Sequence, residues 1–229
     1  MTKAATNVPI QLAIFDLDGT LLDTAEDIAA AVNRLRGRLD LEPVPAPVVL
    51  EWVGDGAGRL VERALGLPEG ATGVSEEAAA HLAAFRADYG EHLLVATRPY
   101  RGVERMLARL AKRGLRMAVV SNKPVDMVER LLAATGLAAR FFAVLGGDSL
   151  VTRKPAPEPI MNVVMRAAVR REATVMIGDG PQDLLAGRAA GVRTIAATWG
   201  FTPRARLEAI DPDAIADRPA DLPKRIAEL

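Results

Sequence analysis

A chain of 229 residues, half of them apolar and a quarter charged, suffices for one large domain or for a core with a smaller companion. Its 29 Lys and Arg against 29 Asp and Glu give a formal net charge of zero, so no overall field draws in nucleic acid or an anionic membrane. Cysteine is absent, which excludes disulfides, thiolate catalysis and cysteine-ligated zinc and suits a reducing, cytoplasmic setting.

The longest stretch without a charged residue, Ala4 to Phe15, covers 12 residues and includes Asn7, Pro9 and Gln11. It is too short and too polar to span a bilayer, and its flanks lack the pattern of a secretory signal. Its end, LAIFD (12–16), predicts a strand. Residues 23–97 then read as helix, with periodic patterns at 25–36, 47–53, 57–65 and 75–89 and no convincing strand. Thr24, with Asp27 three residues on, predicts the cap of the first helix. PVPAPVV (43–49) and GLPEGATGVS (66–75) are the connectors.

From about residue 98 the rhythm changes. Val103, Met106, Leu107 and Leu110 mark one face of a helix, RMAVVS (116–121) a buried strand, and Pro124 to Gly136 a further helix. The order repeats with FFAVLGG (141–147), a helix after Pro157, TVMIGD (174–179), a helix after Pro181, and RTIAA (193–197). Alternating strand and helix predicts an α/β fold: a doubly wound parallel sheet, residues 1–22 and 98–229, with a small all-helical domain, residues 23–97, inserted after the first strand.

In such sheets ligands bind beyond the carboxyl ends of the strands. LAIF ends in Asp16, MAVV in Ser121 and Asn122, and VMIG in Asp179, while Lys154 lies in a proline-rich loop. Asp16 and Asp18 stand two positions apart, and Gly19 frees the backbone to turn and lets main-chain amides approach an anion. Carboxylates so close repel unless a cation lies between them, and Mg2+ suits oxygen ligands, with Asp179 a further one. A carboxylate can attack phosphorus without losing a proton, provided that Lys154, the Ser121 hydroxyl, loop amides and the metal neutralise the phosphoryl oxygens. Asp18 can then protonate the leaving oxygen and later take a proton from water.

FDLDGTL (15–21), SNKP (121–124), the lysine of RKPAPEP (153–159) and GDGPQD (178–183) together resemble the four motifs of the haloacid dehalogenase-like hydrolases, over all but the first nine or so residues. The resemblance implies a Rossmann-like core with Asp16 as nucleophile and Asp18 as acid/base. It assigns phosphate binding to Gly19, Thr20, Ser121, Asn122 and Lys154, and Mg2+ to Asp16, the Asp18 carbonyl and Asp179, with Asp183 behind them. The insertion is similar to the family's small cap domain. WVGDGAGRLVERAL (52–65), TRPYRGV (97–103), TWGF (198–201) and DPDAIADRPADL (211–222) are similar to bacterial phosphoglycolate phosphatases, which implies 2-phosphoglycolate as substrate. Gly180 departs from the pattern, since a serine is common there.

Gly19 follows the second acidic position directly, which excludes a calcium loop, and Arg59 spoils a dinucleotide fingerprint in WVGDGAG. Those glycines are expected to break a helix and to face the site from the cap. Arg59, Arg63 and Arg86 are candidates for a substrate carboxylate. His81 and His92 are expected to be structural or exposed, and Trp52 and Trp199 to pack. A haloacid dehalogenase would not need Asp18, and a phosphonate hydrolase of this family needs a cap lysine, absent between Lys3 and Lys112. The expected partner is a small phosphate ester rather than nucleic acid or membrane. Action on a sugar phosphate, nucleotide or pyrophosphate, a phosphosugar mutase, a catalytically silent binding module and a homodimer all stay open.

Overall fold

The computed structural model describes residues 8–70 and 73–229; the first seven residues of the expected core and two of the 66–75 connector lie outside it. In chain order the elements are β1 (Leu12–Phe15), β2 (Leu22–Asp23), α1 (Ala25–Gly37), α2 (Ala46–Glu51), α3 (Ala57–Leu65), α4 (Glu76–Glu91) and β3 (Arg98–Pro99). Then come α5 (Val103–Lys112), β4 (Arg116–Val120), α6 (Val125–Ala134), β5 (Ala143–Leu145), α7 (Glu158–Ala167), β6 (Thr174–Gly178) and α8 (Pro181–Ala190). The chain finishes with β7 (Arg193–Ala197), α9 (Arg204–Glu208), β8 (Ala214–Ala216) and α10 (Leu222–Ala227).

Six strands form a parallel sheet in the order β5-β4-β1-β6-β7-β8. The strands carry no polar alternation because both faces are covered. Ala13, Phe15, Met117, Val119, Val175 and Ile177 point to one side, where α5, α6 and α10 bury Leu107, Leu131 and Ile226. Leu12, Ile14, Ala118, Val120 and Met176 point to the other, against Ile160, Val163 and Val164 of α7 and Ala186 and Ala190 of α8. Alternate residues of one run thus serve two cores, as the period of two requires.

Helices α1 to α4 pack on one another between β2 and β3. Their buried Val32, Val49, Val61 and Phe85 are continuous with the first sheet face. The chain leaves the sheet on β2 and returns on β3, and these two short strands pair antiparallel, Leu22 with Pro99 and Asp23 with Arg98. Two residues a side carry no periodic signal, and the sequence reading passed over them, as it did β8, α9 and α10.

Thr24 caps nothing with its side chain. Its hydroxyl donates to Asp18 Oδ1 at 2.8 Å instead. Asp27 turns away from the helix start and accepts from Ala96 N–H, Thr97 N–H and the Thr97 hydroxyl, at 2.7 to 3.1 Å. The expected capping pair is therefore two separate fastenings, one to the site and one tying the return segment to α1. The connector expected at 43–49 is also shorter, because α2 starts at Ala46.

Candidate active site

Strands β4, β1 and β6 are neighbours, so their carboxyl ends deliver Ser121 and Asn122, Asp16, and Asp179 to one edge. Asp16 still belongs to the ladder, its N–H donating to Ile177 O at 2.9 Å. Beyond it the backbone turns back on Leu17, whose carbonyl accepts from Thr20, Leu21 and Leu22 N–H. Gly19 makes that turn at φ 80°, and a side chain there would start 2.2 Å from Asp179 Oδ2. Gly200 closes the opposite side, where an added Cβ would lie 2.3 Å from the same oxygen. The Asp179 carboxylate is fixed between two glycines, accepting from the Thr20 hydroxyl and from Phe201 N–H, both at 2.8 Å.

Asp16, Asp179 and Asp183 each offer an oxygen within 4.8 Å of the others, and all three are buried. One ammonium faces them. Lys154, 1% exposed, donates to Asp16 Oδ1 at 2.9 Å and to Val120 O at 2.6 Å, and it pairs with Asp183 Oδ1 at 2.6 Å without hydrogen-bond alignment. Asp183 Oδ2 accepts from Gly180 N–H at 2.9 Å. Burial, then the charges of Asp16 and Asp183, raise the Asp179 carboxyl well above its ordinary range. Burial and Asp16 likewise lift Asp183 from 3.8 to about 7, against the pull of Lys154. Three acids against one cation leave surplus negative charge, and every donor atom is a hard oxygen, a set that fits a hard divalent cation. Asp183, expected behind the other two, has an oxygen within 4.8 Å of each.

Asp18 belongs to a different group. Both its oxygens accept from Lys123 Nζ at 2.9 Å, and Oδ1 also accepts from Thr24. The same ammonium donates to the Tyr89 hydroxyl of α4 at 2.9 Å and lies 4.6 Å from the centre of that ring. From sequence, Lys123 carried no role beyond its place in SNKP. Its place directly after Ser121 and Asn122 at a strand end was the available signal.

Ser121 accepts weakly from Lys123 N–H, at 3.3 Å, and lines the cleft. Asn122 spends both side-chain donor hydrogens on carbonyls, Gly54 O at 2.8 Å and Lys154 O at 2.7 Å, while its Oδ1 is buried without a partner among the described residues. Its side-chain amide therefore joins insertion to core and has no hydrogen left for a phosphate; only its main-chain N–H could serve one.

The WVGDGAG glycines do break the helices between α2 and α3. Gly54 and Gly56 sit at φ 123° and 89°, and a Cβ on Gly54 would come within 2.4 Å of Gln182 Nε2. The departure at Gly180 also has a physical counterpart: a Cβ there would meet the same Gln182 amide at 2.1 Å, so Gln182 fills the space a serine would need.

The three candidate arginines separate. Arg59 is held by Glu62 and Gly70 O, and Arg63 by Asp55, Glu69 and Trp52 O. Arg86 has no ion-pair partner among the described residues and lines the cleft alongside Asp16, Asp18 and Lys123. His92 Nδ1 lies 2.7 Å from Asp88 O, a structural contact, and Trp199 packs while donating to Thr20 O at 3.0 Å.

The family model for haloacid dehalogenase-like hydrolases matches residues 13–197. A phosphoglycolate phosphatase of Neisseria meningitidis is 38% identical over 192 residues, covering 84% of this chain and 82% of the relative. One from Haemophilus influenzae is 34% identical over 219 residues, covering 94% and 98%. The crystal structure of a predicted phosphoglycolate phosphatase from Haemophilus somnus superposes with a TM-score of 0.84 at 30% identity, over 96% of this chain and 99% of the other.

Proposed function

The chain belongs to the haloacid dehalogenase-like hydrolases, and from that membership we propose that it is a Mg2+-dependent cytoplasmic phosphatase of small phosphomonoesters, 2-phosphoglycolate foremost, acting through an aspartyl phosphate on Asp16. The observation that carries this reading is the state of Asp16. One oxygen is pinned by Lys154, whereas Oδ2 accepts no hydrogen bond among the described residues and Asp16 lines the cleft.

Asp16 and Asp179, with the Asp18 carbonyl, would hold Mg2+, and Asp183 lies close enough to join or support them. When bound, the ion supplies positive charge that offsets these acids and the phosphoryl oxygens. Lys154 cancels charge on the nucleophile and, fixed by three oxygens, cannot swing away. The Ser121 hydroxyl and the amides of the turn at Gly19 and Thr20 orient the phosphoryl group. Asp16 forms its bond to phosphorus as the ester bond breaks, Asp18 gives the leaving oxygen a proton, and Asp18 later takes one from the water that frees phosphate. Residues 23–97 act as the cap that shuts this cleft from water, and Arg86 on it receives the carboxylate of 2-phosphoglycolate.

The test is initial rates with Mg2+ across 2-phosphoglycolate, sugar phosphates, nucleotides and pyrophosphate. Phosphate release should favour 2-phosphoglycolate, stop with a chelator and be lost in Asp16→Asn. Folded Asp16→Asn protein with wild-type turnover would disprove the nucleophile, and a flat substrate profile would disprove the substrate.

A further inference from the structure

Within the cleft Lys154 serves the nucleophile, held by Asp16 Oδ1, Val120 O and the Asp183 carboxylate. A second buried ammonium, Lys123, lines the same cleft with a different partner. It touches neither Asp16 nor the acid cluster, but both oxygens of Asp18, at 2.9 Å each. Its side chain is 5% exposed, and it lines the cleft. Burying a lysine this deep is costly unless its charge is paired and hydrogen-bonded, and here Asp18 supplies the pairing. The charge is met in place by the two Asp18 oxygens and the Tyr89 hydroxyl.

We propose that Lys123, held in place by Tyr89 of the helical insertion, is the cation that meets the charge developing on the leaving-group side of the reaction. The inference rests on the phosphatase reading above and deepens it. As Asp16 bonds to phosphorus, the ester P–O bond breaks and its electron pair stays on the departing oxygen. That oxygen takes the proton of Asp18, and the negative charge left on Asp18 falls on two oxygens already in contact with the Lys123 ammonium. Lys123 keeps all its protons throughout. Any oxygen within hydrogen-bond reach of Asp18 lies one contact from Nζ, so the same ammonium screens the departing oxygen before the proton arrives.

Tyr89 is the positioning residue. Its hydroxyl accepts from Nζ at 2.9 Å and its ring lies 4.6 Å from it, while burial pushes the phenol up to about 12, which keeps it neutral. A long flexible side chain is thereby confined to one place by a group on α4, far along the chain from both Asp18 and Lys123. Thr24, the other donor to Asp18, also belongs to the insertion, so the leaving-group side is completed only with the insertion docked.

The assay is kcat/KM for phenyl phosphate against p-nitrophenyl phosphate, two esters of similar shape without a carboxylate, whose leaving groups differ in basicity. The ratio reports the first chemical step. Lys123→Met should lower kcat/KM about 100-fold for phenyl phosphate and about tenfold or less for p-nitrophenyl phosphate, whose phenolate departs without help. Tyr89→Phe, which keeps the ring and the packing, should show the same asymmetry at about a tenth of the size, and it carries the test should Lys123→Met fail to fold. Equal losses on both esters, or no loss in either variant, overturn the proposal. Asp18→Asn separates the two levels. If it steepens the leaving-group dependence and the Lys123 and Tyr89 variants do not, only this inference falls; if it leaves the dependence flat, the acid role of Asp18 falls with it.

Discussion

Raising the pH without Mg2+ should destabilise this protein over a range in which most carboxylates are silent. Asp183 is lifted from 3.8 to about 7 in the folded state, by burial and by Asp16. A carboxyl whose folded pKa exceeds its unfolded one binds more protons when folded, so its contribution is favourable at low pH and is lost as pH rises from the unfolded value through the folded one. The shift of about 3 units corresponds to ~4 kcal/mol in all, more than half of which falls between pH 5 and 8. Asp179 is displaced in the same direction and adds to the loss. For a chain of this length that is a fall in Tm of ~5–10 °C. Urea unfolding or thermal melts at pH 5, 6, 7 and 8, in chelator and in millimolar Mg2+, measure it. The loss should appear in chelator and largely vanish with Mg2+, because a cation among the acids removes the reason for them to hold protons. A metal-free profile flat from pH 5 to 8, or one that Mg2+ leaves unchanged, would refute the reasoning about the acid cluster.

Arg86→Ala should raise KM for 2-phosphoglycolate by about tenfold, the worth of one charged contact at an open site, and leave p-nitrophenyl phosphate unaffected. Equal effects on both would show that Arg86 does not read a carboxylate. Gly200→Ala would set a Cβ 2.3 Å from Asp179 Oδ2 and should weaken Mg2+ binding about 10- to 100-fold in calorimetry, with the circular dichroism of the fold retained. Glu62 on α3 accepts from Gly70 N–H, Ser75 N–H and Arg59, which overcome its burial and lower its pKa to about 2. Glu62→Gln should cost about 1–3 kcal/mol in urea unfolding. The wild-type contribution of Glu62 should persist at neutral pH and be lost only as pH falls from the ordinary carboxylate range toward 2, the sign expected of a depressed acid.

The parts of this fold legible from sequence were those with a period. LAIF, MAVV and VMIG carry no polar residue because two cores claim alternate positions, and α1 and α3 to α8 declare themselves by a face or by a proline at their start. What had no period went unread: β2 and β3, with two residues a side, and β8, which adds to the far edge of the sheet. Thr24 and Asp27 show the limit of local rules. Their spacing suits a helix cap, yet each finds a better partner elsewhere, in Asp18 and in the returning chain at Ala96 and Thr97.

The candidate site divides in the same way. Residue types at or just beyond strand ends were enough to single out Asp16, Asp18, Ser121 and Asp179, since a parallel sheet brings the ends of neighbouring strands together whatever lies between them, and Lys154 stood out in its proline-rich loop. Partnership was beyond such reasoning, because it depends on distances between residues far apart in the chain. Folding alone decided that Asn122 spends its amide on Gly54 and Lys154 carbonyls, that Arg59 and Arg63 are consumed by neighbours while Arg86 is not, and that Gln182 occupies the space beside Gly180. Chemistry of the motif is written along the strand, whereas the assignment of each charge to its counter-charge is written across a cleft where α4 brings Tyr89 to Lys123 and Asp18.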